Sequence, residues 1–133
     1  MAFFDDVDDL LDEELQKAAA RRDEQARLDE TNLTVAAELG EMAREFAAAM
    51  ARLDAHRSPD GLWQVGERYY VDDDGNYLVE DIGSDSVMRP RREHRFDRRG
   101  MNVNLSGERD RMRERMAARL RTAARERAER ELQ

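Results

Sequence analysis

The chain is 133 residues long, which is enough for one domain at most. Charged residues make up 41% of it and aromatic residues only 6%, too few large apolar side chains for a compact core of ordinary density. The absence of cysteine excludes disulfides and thiolate metal ligands, and no apolar run approaches the ~18 residues that span a membrane. Elongated helices, or an apolar interface shared between copies, fit this composition better than a compact single-chain core does.

Charge is distributed unevenly around the net value of −8. Residues 1–60 carry 16 acidic and 7 basic side chains, whereas residues 87–133 carry 8 acidic and 15 basic ones. An acidic front and a basic rear predict attraction between copies, or two different partners. The N-terminus turns acidic directly after Phe4 and lacks the basic segment of a signal peptide. We therefore expect a cytoplasmic protein, or one within an assembly formed in the cytoplasm such as a virion, with no membrane partner.

The first predicted element is a long amphipathic helix over residues 1–57. Its apolar positions recur alternately three and four residues apart, which is the pattern of helices that pack lengthwise on another helix. This heptad stripe comprises Asn32, Val35, Leu39, Met42, Phe46, Ala49, Leu53 and His56. It predicts a coiled-coil interface in a dimer or trimer, in which a buried Asn32 fixes the register and His56 occupies a core position.

The heptad register continues toward the N-terminus, with polar interruptions, through Leu28, Ala18, Leu11, Val7 and Phe4. The segment from Thr31 to Thr34 lowers helix propensity and leaves two interpretations. Either one helix runs unbroken past it, which we favour, or the helix breaks there and Thr34 caps a second helix. The acidic first turn suits the helix dipole, and it could alternatively bind a basic partner.

Residues 58–86 are predicted to form a turn and a β-hairpin. A Ser-Pro-Asp-Gly sequence ends the helix, and aromatic and β-branched residues follow. Trp63, Val65, Tyr69 and Val71 share one strand face. Because an isolated hairpin is marginally stable in water, this face should pack on the long helix or on a neighbouring copy.

The segment 72–76 is predicted to be the hairpin turn. If Asp74 and Gly75 form a two-residue turn, Val71 lies opposite Leu78. The alternating oxygen ligands of the segment also resemble the start of a calcium loop. Tyr77 occupies the position where that loop requires glycine, so a plain turn is favoured and no metal or other cofactor is expected.

Residues 87–105 are predicted to be irregular and rich in arginine. The candidate contact residues are Arg89, Arg91, Arg92, Arg95, Arg98 and Arg99. Their guanidinium groups could dock on the acidic half of a neighbouring subunit, or they could remain solvated. They could also bind phosphates while His94 and Phe96 stack on bases. Docking on protein is favoured over contact with nucleic acid, because the chain as a whole is acidic and would repel a polyanion.

Residues 106–133 are predicted to form a charged C-terminal helix that begins with a cap at Ser106. Met112, Met116 and Leu120 give it a thin apolar face. The chain is therefore predicted to be mainly α, with a long helix, a central hairpin and a second helix in the elongated order α-β-β-α.

No arrangement typical of a catalytic site occurs in the sequence, so we do not expect an enzyme. The pattern favours a structural or assembly protein that oligomerises through its first helix and docks neighbouring subunits through its hairpin and Arg-rich segment. A small component of a phage particle or a similar large assembly fits this combination of a short chain, a shared core and extended helices. One alternative is a nucleic-acid-associated regulator that uses the Arg-rich segment. Another is an adaptor or inhibitor that binds a different protein through its acidic helix.

Overall fold

A computed structural model shows two helices and a small antiparallel sheet. The structure describes residues 4, 6–80, 92–94, 96 and 104–133, with residues 92–94 in their backbone alone. In chain order the elements are α1 (Val7–Arg52), β1 (Trp63–Gln64), β2 (Tyr69–Val71), β3 (Tyr77–Val79), β4 (Arg92–His94) and α2 (Leu105–Glu131). The predicted mainly helical fold and its α-β-β-α order are confirmed.

Helix α1 is continuous through the segment that left two interpretations open. Its 46 residues correspond to a length of about 69 Å, at about 1.5 Å per residue. The hydroxyl group of Thr34 donates to the carbonyl oxygen of Glu30, 3.3 Å away within the same helix. Thr34 therefore lies inside the helix and does not cap a second one.

Helix α1 ends at Arg52, five residues before the predicted end. Asp54 takes a φ of 49°, in the left-handed region that often follows the end of a helix. The amide of Ala55 then donates back to the carbonyl oxygen of Met50 at 3.1 Å, as in a Schellman motif. His56 lies beyond this end and is exposed, so its predicted place on a helical core position is wrong.

The four strands are antiparallel and follow one another in chain order across the sheet. Val71 pairs with Tyr77, and Tyr70 pairs with Leu78, so the predicted pairing of Val71 with Leu78 is off by one residue. The reason is that the amide of Asp72 donates to the carbonyl oxygen of Asn76 at 3.1 Å, which closes a loop of three residues, 73–75, in which Gly75 adopts a φ of 91°. The prediction that Trp63 and Val71 share one strand is wrong, because they lie on two paired strands, β1 and β2. Strand β4 adds a fourth strand, in the segment that was predicted to be irregular.

The second half of α1 and α2 run parallel to each other. Contacts between them advance in step along both helices, and the sheet lies in the connection between them. Helix α2 begins at Leu105, and its cap is Asn104, so the predicted cap at Ser106 is wrong. The polar contacts that show the direction are Asn32 with Leu105, Glu38 with Arg109, and Asp54 with Arg127.

The sheet packs on α1 and closes the core. Tyr77 is 3% exposed, and its hydroxyl group donates to the carbonyl oxygen of Leu39 at 3.0 Å. The loop of the hairpin lies directly on α1, because a Cβ atom at Gly75 would be 2.7 Å from the carbonyl oxygen of Gly40. Of the predicted strand face, Trp63, Val65 and Val71 are buried and Tyr69 is half-buried.

Candidate functional site

The first half of α1 projects beyond the rest of the described structure. We call residues 7–31 the N-terminal arm, because Asn32 is the first buried residue of the helix. At about 1.5 Å per residue the arm is roughly 37 Å long. Its apolar side chains Val7, Leu10, Leu11 and Leu15 are 52–58% exposed. A helix that leaves an apolar stripe uncovered is a candidate interaction surface.

Acidic residues surround the apolar stripe of the arm. Residues 7–18 contain five acidic side chains and one basic one, Lys17. The amino group of Lys17 lies 3.5 Å from Glu13 and 3.6 Å from Glu14, so it is drawn into pairs along the same helix. The end of the arm therefore presents leucines within a strongly negative surface.

The heptad stripe divides into a buried part and a half-exposed part. Val35, Leu39 and Phe46 are at most 3% exposed, and they pack in the core of their own chain. The remaining apolar members, Met42, Ala49 and Leu53, are half-buried. The predicted helix partner is therefore provided, for the buried part, by α2 and the sheet of the same chain. Asn32 was predicted to lie in an interface between copies; it is buried in its own chain, where its side chain contacts α2.

The half-exposed part of the stripe lines a groove between α1 and α2. Two adjoining hollows of about 690 and 460 Å³ share Ala49, Arg52 and Leu120. We call them together the interhelical groove; its apolar lining is Met42, Phe46, Ala48, Ala49, Leu53, Met116, Ala117, Leu120 and Ala124. At 3.6 residues per turn, Met42 lies across the helix from Gly40. The groove and the hairpin therefore occupy different sides of α1.

The polar rim of the interhelical groove is mainly basic. Arg52, Arg113 and Arg121 line it, against a single acidic residue, Glu45. All four side chains are exposed, and none of the three arginines forms an ion pair with another described residue. The groove therefore joins an apolar floor to a mainly basic rim, the opposite of the charge around the arm.

The Arg-rich segment is only partly described. Arg92 lies in β4, whereas Arg89, Arg91, Arg95, Arg98 and Arg99 lie outside the described residues. Phe96 is 6% exposed, and its ring meets that of Tyr77 edge to face with centroids 5.0 Å apart. The prediction that Phe96 stacks on bases is wrong, because the ring belongs to the protein core.

The carboxylates of the hairpin turn are engaged by the protein itself. Asp72 accepts bonds from the backbone amides of Asp74 and Asn76, both at 2.9 Å. Asp73 accepts from the indole nitrogen of Trp63 at 3.0 Å and from Arg57 at 2.6 Å. The hydrogen bond from Trp63 lowers the pKa of Asp73 most, and the hydrogen bond from Arg57 lowers it further.

The cluster of Arg57, Trp63 and Asp73 was missed by sequence reasoning. The guanidinium carbon of Arg57 lies 4.3 Å from the centre of the Trp63 ring, which adds a cation–π contact to the two hydrogen bonds. The cluster ties the segment after α1 to the hairpin turn. No local signal indicates it, because its members come together only when β1 pairs with β2.

Within residues 6–80 and 104–133, no group of three or more histidine, aspartate or glutamate side chains is placed to hold a metal ion. The same part of the chain contains no helix with the length and apolarity needed to cross a bilayer. Comparisons with protein-family models, with curated proteins and with solved structures found no match.

Proposed function

We propose that this chain is a non-enzymatic structural protein that self-associates through α1 within a larger assembly, such as a phage particle. The observation that carries the proposal is the N-terminal arm. An apolar stripe with Leu11 at 57% and Leu15 at 58% exposure is costly to leave in water. A protein that retains such a stripe on a projecting helix uses it to bind another molecule.

Self-association is favoured over a different partner because the chain holds a surface that complements the arm. The arm is apolar and acidic, and the interhelical groove is apolar and basic. Complementary charge aligns two surfaces and suppresses pairing of like surfaces. A shared apolar interface also suits the composition, in which large apolar side chains are scarce.

In this proposal the sheet and the Arg-rich segment dock neighbouring subunits. The acidic turn 72–76 and the arginines from Arg89 to Arg99 carry opposite charges, so both can serve electrostatic docking between copies. The roles of nucleic-acid regulator and of acidic-helix adaptor remain sequence-based alternatives. Burial of Phe96 removes one of the two stacking residues on which the nucleic-acid alternative depended.

Light-scattering mass on a size-exclusion column, at low and at high salt, tests the proposal. The expected mass is about 31 kDa for a dimer, twice the 15.5 kDa of the chain, or about 46 kDa for a trimer. Leu11→Asp and Leu15→Asp should reduce the mass toward that of one chain, because a carboxylate would enter the apolar interface. Leu39 and Phe46 are unsuitable for this test, since they are buried in the core and their replacement would unfold the monomer.

Asp9→Asn is the matched control, because residue 9 lies across the arm from Leu11. It should leave the mass unchanged. A single-chain mass for the unaltered protein at all salt and protein concentrations would contradict the proposal. The unpaired arm would then be assigned to a different protein, as in the adaptor alternative.

A further inference from the structure

We propose that the interhelical groove of one copy receives the N-terminal arm of a second copy, and that the exchange is reciprocal. The two copies then form a closed dimer with antiparallel α1 helices related by a two-fold axis. This inference rests on the proposed self-association and specifies its geometry, its stoichiometry and the residues in contact.

The arm cannot fill the groove of its own chain. Leu11 and Ala49 belong to one uninterrupted helix, 38 residues apart. At 1.5 Å per residue their separation is about 57 Å. Bringing them together would require breaking α1, which shows no kink-forming proline and continues through residues 31–34. An arm that occupies the groove must therefore come from another molecule.

The apolar part of the arm and the half-exposed part of the heptad stripe have the same length. Val7 to Ala18 spans the arm stripe, and Met42 to Leu53 spans the α1 side of the groove. Both comprise eleven residue steps, or about 16 Å of helix. The arm stripe is thus long enough to cover the groove and does not extend far beyond it.

A single antiparallel register aligns the two stripes. Placing Leu11 opposite Ala49 also places Val7 opposite Leu53 and Ala18 opposite Met42. Large side chains then face smaller ones, so the two surfaces can interdigitate. This agreement follows from the heptad spacing, which is the same on both sides of the centre of α1.

The same register fills both grooves at once. When the α1 helices of two copies lie antiparallel, the arm of the first copy contacts the groove of the second. By symmetry, the arm of the second copy contacts the groove of the first. Such an isologous contact closes at two subunits. Larger assemblies would then be built from dimers through other surfaces, such as the sheet.

Charge supports the same orientation. In this register Asp8 of the arm lies opposite Arg52 of the groove rim. Glu45, the acidic residue of the groove lining, falls opposite Leu15. A parallel pairing in matched register would instead place each acidic arm beside the other, which is repulsive.

Cysteine cross-linking tests the exchange directly, because the natural chain has no cysteine. The double variant Leu11→Cys with Ala49→Cys is oxidised, or treated with a short bis-maleimide, and analysed by denaturing electrophoresis and intact mass. The expected product is a covalent dimer. Leu11→Cys alone should give little cross-linked dimer, because the two residues 11 lie at opposite ends of the antiparallel pair.

The matched control is Asp9→Cys with Ala49→Cys, which places the arm thiol on the opposite face of the helix. It should cross-link much less than the double variant at 11 and 49. A covalent dimer from Leu11→Cys alone, without enhancement by Ala49→Cys, would show parallel helices. That result overturns the exchange and leaves the proposed self-association standing.

Two further outcomes also decide the matter. An intramolecular link between residues 11 and 49 in a species of single-chain mass would show that the arm folds back, which overturns the exchange. Absence of cross-links together with a single-chain mass in light scattering would overturn both the exchange and the proposed self-association. The two failures are therefore distinguishable.

Charge reversal provides an independent test in the protein without cysteines. Arg52→Glu should weaken the dimer about tenfold or more, because like charges would then face each other at Asp8. Adding Asp8→Arg should restore much of the loss. Arg125→Glu, on an exposed α2 residue outside the groove, is the control and should leave the dissociation constant nearly unchanged. Unchanged dimerisation of Arg52→Glu would contradict an arm seated in the groove.

Discussion

The side-chain oxygen of Asn32 accepts a hydrogen bond from the backbone amide of Leu105, at 3.3 Å and across 73 residues of sequence. The contact joins the base of the N-terminal arm to the first turn of α2. Asn104 caps the same turn by accepting from the amide of Ser106 at 2.9 Å. Two asparagines from distant parts of the chain therefore satisfy the start of α2, and one of them marks where the arm leaves the core.

We expect Asn32→Ala to lower the free energy of unfolding by about 1–3 kcal/mol, because the buried amide of Leu105 would lose its partner. Asn104→Ala should cost about 1 kcal/mol as the loss of an ordinary cap. Thr34→Ala, an exposed change on the same helix, is the control and should have little effect. Urea unfolding followed by circular dichroism measures all three. Equal stabilities of Asn32→Ala and Thr34→Ala would show that the contact with Leu105 contributes nothing.

Gly75 and Gly61 form a matched pair that isolates the approach of the hairpin to α1. Both have positive φ, 91° and 81°, so alanine should cost about 1–2 kcal/mol at either position for the backbone alone. A Cβ atom at Gly75 would additionally lie 2.7 Å from the carbonyl oxygen of Gly40, whereas one at Gly61 meets nothing within 4 Å. We expect Gly75→Ala to be less stable than Gly61→Ala by a further ~1–3 kcal/mol in chemical unfolding.

A smaller or reversed difference between these two variants would mean that the hairpin loop does not rest on α1 in solution. The comparison is informative because the strain of left-handed backbone is common to both variants and cancels. What remains is the steric contact between the loop and the helix.

Tyr77 should make the protein sensitive to alkali. Burial raises the pKa of its hydroxyl group well above its ordinary value near 10. The folded state then holds the phenolic proton more tightly than the unfolded state does. The resulting stability is present below pH ~10 and is lost as the pH rises from there toward the folded-state pKa. Unfolding free energies measured between pH 8 and 11 should therefore decline in the natural protein.

Tyr77→Phe should show a shallower decline over the same interval, because its ring has no proton to lose. Near neutral pH the variant should be less stable by about 1 kcal/mol, since the hydrogen bond to the carbonyl oxygen of Leu39 is removed. Identical pH slopes for the two proteins would indicate that Tyr77 is accessible to water and ionises normally.

Asp73 should give a spectroscopic signal in acid. Hydrogen bonds from Trp63, and then from Arg57, lower its pKa below the ordinary aspartate value of about 3.9. The stabilisation they provide is present above that ordinary value and is lost as the pH falls through the lower folded-state pKa. Because Trp63 is the one tryptophan of the chain, its fluorescence reports this titration. The transition should have a midpoint below about pH 3.9.

Asp73→Asn should abolish that transition, whereas Asp74→Asn should preserve it, because the side chain of Asp74 does not contact the indole. Far-ultraviolet circular dichroism over the same range separates a local change at Trp63 from acid unfolding. Persistence of the transition in Asp73→Asn would assign the signal to another group.

Two parts of the candidate site could be read from the sequence and one could not. The heptad spacing identified both the arm stripe and the residues of α1 that need covering. The sequence did not show that Val35, Leu39 and Phe46 are covered by the same chain. Periodicity is a property of one helix, and it does not indicate which surface packs against the apolar face of that helix. The α2 side of the groove, with Met116 and Leu120, therefore had to come from the fold.

Local interactions explain the elements that the sequence determined by itself. Apolar spacing and good helix formers specify α1, since each backbone bond there closes within four residues. Aromatic and β-branched residues on either side of an Asp-Gly turn likewise specify a hairpin. Tertiary structure alone decided the parallel pairing of α1 with α2, the burial of Phe96, and the contact of Asn32 with Leu105. These depend on the path of the chain between the helices, and that path is set by which surfaces bury each other when the sheet closes on α1.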